Sequence, residues 1–134
     1  PYAATATLSD LDDLAKKLLK AKEAKERGFV FLHVLAPCTT GWGHAPEDTI
    51  EVCRRAVKTN YFPLWEAVNG KIRMTKEVKK PKPVKTYTEL SKKFTNMTEE
   101  DHQILQDDVD YEFCILGGLS QLEGECQLPV SAED

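Results

Sequence analysis

Between Gly28 and Ala36 lie seven residues, Phe29-Val-Phe-Leu-His-Val-Leu35, with one polar member, His33, and no charge. A short apolar run of this length reads as a β-strand buried on both faces, the pattern of a parallel sheet covered by helices. Ala36-Pro37 stops it, because proline has no N–H to give to a ladder. Cys38 follows at once, in a loop with Gly41 and Gly43, and Pro46-Glu47-Asp48 open the next helix. Cys38 is therefore expected just past the carboxyl end of a central strand, where open α/β sheets place their ligands.

The flanking segments are helical. Ser9 with Asp12 reads as a helix start, the hydroxyl accepting from first-turn N–H groups. Leu11, Leu14, Ala15 and Leu18 then share one face, taken as the inward one. Acidic residues precede basic ones along this helix, in accord with its dipole, and Gly28 suits the residue after its end. A second helix is expected from Pro46 to about Thr59, with Ile50, Cys53 and Val57 on one face and Asn60 closing it in the left-handed conformation. Cys53 reads as a core cysteine. The fold class is thus α/β, with helices over 9–27 and 46–59 beside strand 29–35.

Phe62 to Val68 and Lys71 to Thr75 are joined by Asn69-Gly70, the strongest short signal for a hairpin. Pro63 assigns that hairpin to a sheet edge. Lys76 to Thr86 carries two prolines and five lysines and reads as an extended, solvated linker. Val84, Tyr87, Leu90 and Phe94 recur at helical spacing and would dock a short helix on the body. Thr98 with Asp101 repeats the capping pattern and opens a helix with Ile104, Leu105 and Val109 inward. The expected organisation is an α/β domain over 1–75, a basic linker and helical extension over 76–114, and a loosely ordered tail over 115–134.

Composition removes several function classes. With a net charge of −4 there is no electrostatic case for nucleic acid. No apolar run approaches a membrane span and no secretory leader is visible. The four cysteines, at 38, 53, 114 and 126, have no CxxC spacing, and an intracellular setting fits them better than a disulfide framework. His33 reads as a core histidine, His44 as a surface loop residue and His102 as solvent-facing. By spacing alone, Cys38 is a metal ligand, a nucleophile activated by a helix end and by His44, or a thiol without chemistry in a binding module.

Leu35-Ala36-Pro37-Cys38, Thr40-Gly41-Trp42, Thr49-Ile50-Glu51, Pro63-Leu64-Trp65-Glu66 and Asn69-Gly70 together resemble, in order and spacing, one family. It is the beta subunit of pyruvate:ferredoxin oxidoreductase and related 2-oxoacid:ferredoxin oxidoreductases. The resemblance runs from about Pro1 to Phe94, against the C-terminal part of that subunit. It implies a piece of a thiamine diphosphate-binding fold, a parallel sheet flanked by helices with an edge hairpin. It also implies that Cys38 is the last of four ligands to a [4Fe–4S] cluster. The activity implied is oxidative decarboxylation of a 2-oxoacid, pyruvate foremost, to acyl-CoA, with electrons passing to ferredoxin. Coenzyme A and the 2-oxoacid would be substrates, subunits of alpha, gamma and delta type the partners, and the cytoplasm the location. The chain lacks both a Gly-Asp-Gly stretch followed by asparagine and a CxxC. The thiamine diphosphate and Mg²⁺ site and the other cluster ligands are therefore expected upstream of Pro1, and the chain alone is expected to be inactive. Thr39 and His44, which flank the ligand, stand where the family often carries proline and an aromatic residue.

Overall fold

The structure, a computed structural model, describes residues 1–122. Its centre is a four-stranded sheet in the order β2-β1-β3-β4. Strand β1 (Tyr2–Thr7) leads into helix α1 (Leu11–Ala24), which crosses over to β2 (Val30–Leu35). β1 and β2 pair in parallel, Tyr2 opposite Val30 and Thr7 opposite Leu35. A short helix α2 (Thr39–Trp42) and helix α3 (Thr49–Lys58) follow, then the hairpin β3 (Trp65–Val68) and β4 (Lys71–Met74). β3 runs antiparallel to β1, and β4 antiparallel to β3. The fold is α/β as expected, but the sheet is mixed rather than parallel, because the hairpin that follows α3 lies antiparallel beside β1.

The hairpin turn is where the sequence put it: Asn69 and Gly70 both have positive φ, 50° and 82°. Its expected place at an edge also holds, since β4 has one neighbour. The position of β2 does not. The interior strand is β1, and β2 is the other edge, with Phe31, His33 and Val34 exposed. His33 is therefore no core histidine; its ring meets Phe62 edge-on at 5.1 Å.

Helix α1 also turns differently from the reading of its pattern. Its N-cap is Asp10, which accepts from the Asp13 N–H, not Ser9. Its buried residues are Lys17, Ala21 and Ala24, while Leu11 and Leu18 are exposed. Small side chains let the helix lie close on Tyr2 and Ala4 of β1, with Val30 and Leu32 of β2 filling the margin. Lys17 is buried with all three ammonium protons used, on the Thr5 carbonyl (2.8 Å), the Asp13 carboxylate (2.6 Å) and the Thr75 hydroxyl (2.7 Å).

A second charged group is enclosed beside it. Glu66 of β3 is buried and accepts from the Tyr2 hydroxyl (2.8 Å), Lys20 Nζ (2.7 and 2.9 Å) and Arg73 Nε (2.6 Å). Burial alone would raise its pKa. The hydrogen bonds from Lys20, Tyr2 and Arg73 outweigh that and bring it down to about 2.

The larger core lies around α3. Val52, Cys53, Ala56 and Val57 pack with Leu35, Phe62, Leu64 and Tyr87. Cys53 is fully buried, as its place in the helical period indicated. Ile50, expected on the same face, is exposed. Asn60 ends this region with φ 58°. Val84 and Tyr87 are buried as well, so helix α4 (Lys85–Thr88) is held on the body. Helix α5 (Glu99–Ser120) opens with the expected box: the Thr98 hydroxyl accepts from the Asp101 N–H, and the Asp101 carboxylate accepts from the Thr98 N–H.

Val109 is its buried residue; Ile104 is exposed. α5 runs to Ser120, past the expected start of the tail at 115, because Leu116 to Ser120 continue the ladder despite two glycines. His102 is not free in solvent. Its Nε2 lies 2.9 Å from the Thr88 hydroxyl and its Nδ1 2.9 Å from the Thr98 carbonyl, tying α5 to α4. Cys114 is exposed; Cys126 and most of the expected tail lie outside the described residues. Among the described residues, no helix is long and apolar enough to cross a membrane.

Candidate functional site

The site begins where β2 ends. Leu35 is buried in the α3 core, Pro37 is buried after it, and Cys38 then emerges exposed before α2. Cys38 is the N-cap of α2, with extended backbone (φ −90°, ψ 118°). Its Sγ accepts from the Gly41 N–H at 3.4 Å, and its carbonyl accepts from the Trp42 N–H at 2.9 Å. A backbone N–H aimed at a cysteine sulfur stabilises negative charge there. A β-carbon added at Gly41 would meet Cys38 Sγ at 3.6 Å, so the glycine leaves room beside the sulfur.

The turn closes at Gly43, which has φ 67° and donates to the Thr39 carbonyl at 2.9 Å. A β-carbon at Gly43 would lie 2.8 Å from Lys92 Cβ. The 92–94 segment is thus pressed against the cysteine turn. Lys93 completes the contact: its ammonium sits 3.7 Å from the centre of the Trp42 ring and 4.6 Å from that of Phe94. Burial holds its pKa below the usual lysine value. A cation over two aromatic faces is worth about 0.5–2 kcal/mol, depending on how dry it is.

His44 differs from its expected surface role. It is buried, with Nε2 3.3 Å from the Thr49 hydroxyl, which itself donates to the Pro46 carbonyl at 2.8 Å. Nδ1 of His44 has no hydrogen-bond partner among the described residues. The imidazole is therefore engaged with the start of α3. Cys53 is buried, its Sγ 3.7 Å from the Leu35 carbonyl. One cysteine thus faces solvent and the other the core.

Sequence reasoning found Cys38, its glycines and Trp42, but it missed Lys92, Lys93 and Phe94. Only the apolar spacing of Phe94 pointed to a docked segment, and nothing local pairs Lys93 with Trp42. Among the described residues no group of three or more His, Cys, Asp or Glu side chains gathers as a metal site. Cys38 offers a single thiol donor.

Comparison with known proteins supplies the context. The chain is 44% identical over 117 residues to pyruvate synthase subunit PorB of Methanocaldococcus jannaschii. It is 43% identical over 126 residues to ketoisovalerate oxidoreductase subunit VorB of Pyrococcus abyssi. These alignments take in 87% and 92% of the chain. The chain belongs to the beta-subunit family of 2-oxoacid:ferredoxin oxidoreductases. The match covers 39% and 40% of those two relatives, so the chain spans about two fifths of their length. The beta subunit of NADH-dependent phenylglyoxylate dehydrogenase from Aromatoleum evansii is also similar, 40% identical over 78% of the chain and 24% of that protein. No family model matches the chain.

In this beta-subunit chain the cysteine turn should be sensitive at one glycine and tolerant at the other. Gly43→Ala places a β-carbon at positive φ and against Lys92, and should cost about 1–3 kcal/mol. Gly41→Ala makes only ordinary contact and should cost less than about 1 kcal/mol. Urea unfolding followed by tryptophan emission checks both; equal costs would mean that Lys92 does not press on the turn.

Proposed function

We propose that this chain is the part of a 2-oxoacid:ferredoxin oxidoreductase beta subunit that supplies Cys38 as one of four thiolate ligands to a [4Fe–4S] cluster. The observation that carries the reading is the Cys38 turn: an exposed sulfur at the end of a strand, with a backbone N–H aimed at it. That arrangement fits a cluster ligand, which has to be held rigidly and hydrogen-bonded at sulfur. The setting, in a chain 44% identical to a pyruvate synthase subunit, supports it.

Cys38 would hold the cluster through one thiolate, and a cluster held there would supply one-electron transfer towards ferredoxin. The residues of this chain orient one ligand and shape its surroundings. Gly41 donates its N–H to the sulfur, Gly43 lets the turn close on Lys92, and Lys93 holds Trp42 beside the ligand. Thiamine diphosphate and Mg²⁺, the other cluster ligands and the 2-oxoacid and coenzyme A contacts belong, in this reading, to parts of the subunit outside these 134 residues. The substrate class is a 2-oxoacid, with pyruvate first. The partners are the other subunits and ferredoxin, and the location is the cytoplasm.

A nucleophilic Cys38 is the competing chemistry. It calls for a base at the thiol. His44, the imidazole the sequence offers as that base, is turned to the Thr49 hydroxyl. The cluster reading is the better fit to these contacts.

The test is anaerobic reconstitution with iron and sulfide. The chain by itself should hold no stoichiometric cluster and oxidise no 2-oxoacid, since it offers one assigned ligand. The subunit at its relatives' full length should take up four irons and four sulfides, the content of the proposed cluster. A stable cluster spectrum from the chain alone would sink the one-ligand assignment.

A further inference from the structure

Lys93 is a cation without a counter-charge. Among the described residues no carboxylate forms an ion pair with it. Asp101 and Asp108 line the same cleft, but Asp101 is engaged in the cap of α5, accepting from the Thr98 N–H and hydroxyl, each at 2.7 Å. The ammonium rests instead on two aromatic faces, those of Trp42 and Phe94. Burial disfavours its charge, and no negative group among the described residues offsets that. A neutral side chain could pack on Trp42 without this penalty.

The seat of this cation is tied to the cysteine turn. The Trp42 N–H donates to the Cys38 carbonyl, so Trp42 closes the turn that Cys38 opens. Four helical residues rise only about 6 Å. Lys92, next to Lys93, is pressed against Gly43 in the same turn. The segment that carries both lysines is itself braced, since the Phe94 N–H donates to the Ser91 carbonyl at 3.1 Å and the Thr95 N–H to the Lys92 carbonyl at 3.0 Å. The charge of Lys93 is therefore fixed beside the turn that presents the Cys38 sulfur. Charges act over about 8 Å at physiological salt, and further where water is excluded.

We propose that Lys93 tunes the reduction potential at Cys38: its positive charge, seated on Trp42, favours the reduced state of a cluster held by the Cys38 sulfur. The inference rests on the cluster reading above. Reduction adds one electron, and so one negative charge, to such a cluster. A low-potential donor, dithionite in the experiment below, supplies the electron, and no bond forms or breaks. A neighbouring cation stabilises the more negative state and so raises the potential. Lys93 acts through the Trp42 ring and is a positioning residue rather than a ligand.

Potentiometric titration with dithionite, followed by electron paramagnetic resonance on the subunit at its relatives' full length, tests this. Lys93→Met and Lys93→Gln should each lower the reduced-to-oxidised ratio at a fixed potential about tenfold, a shift of about 59 mV for one electron. Lys93→Arg keeps both the charge and the aromatic seat and should stay within about threefold of the unsubstituted subunit. Unmoved potentials in both neutral variants, with the cluster present, overturn the inference and leave the cluster reading standing. Equal shifts in all three variants overturn it as well, because shape rather than charge would then be at work. Loss of the cluster in the two neutral variants alone overturns it in favour of a lysine that holds the turn together. Absence of a cluster from the unsubstituted subunit overturns the cluster reading, and the inference falls with it.

Discussion

Cys38→Ala in the assembled oxidoreductase should abolish or convert the proposed cluster, whereas Cys53→Ala should leave it intact. The two thiols differ in setting, one exposed in a glycine turn and one buried on the core face of α3. Removing Cys38 takes away a ligand, and clusters seldom survive that loss unchanged. Electron transfer to ferredoxin should stop, while thiamine diphosphate binding should persist, because its contacts are assigned elsewhere. Removing Cys53 deletes one small buried side chain and should cost about 1–2 kcal/mol of stability. Electron paramagnetic resonance of both dithionite-reduced variants decides the matter. A full set of cluster signals in Cys38→Ala would remove Cys38 from the ligand set.

Acid should unfold this chain largely through Glu66. Its pKa, about 2 in the fold, lies below the ordinary 4.5, so the folded state binds the proton less readily than the unfolded one. The stability it contributes is complete above the ordinary value and is lost as pH falls from about 4.5 towards 2. Glu66→Gln should flatten that dependence and lower stability at pH 7 by about 2–4 kcal/mol. The cost is bounded because Lys20 and Arg73 are partly exposed and regain water, whereas the Tyr2 hydroxyl is buried. Urea midpoints at pH 7, 4 and 2.5 measure both effects. Parallel pH profiles for the two proteins would show that the Glu66 cluster does not govern acid unfolding.

Where a local signal carries its own geometry, the sequence was readable. Asn69-Gly70 needs two positive φ angles and has them; Thr98 and Asp101 cap each other across one turn. Cys38 is at a strand end because Pro37 stops the ladder, which is again local. Positions that depend on distant partners were not readable. The α1 pattern has two candidate faces, and the choice fell on leucines. The sheet selected Ala21, Ala24 and a fully hydrogen-bonded Lys17, a combination no period announces. The β2 run was read correctly as a strand but not as an edge, since sheet order depends on where the hairpin returns. Lys93 was missed for the same reason: it gains its role from a tertiary neighbour, Trp42.

The interior position of β1 has a kinetic consequence. Tyr2–Thr7 leaves the ribosome before the other described strands, yet Tyr2 pairs with Val30 on one side and Val68 on the other. Both ladders are non-local, and such contacts repay their loop-closure entropy late. The larger core closes later still, because Tyr87 is one of its members. During synthesis the first strand therefore waits through most of the chain with its ladders incomplete. Folding should be slow for a domain of this size, and the nascent chain should engage chaperones until the hairpin and Tyr87 have emerged.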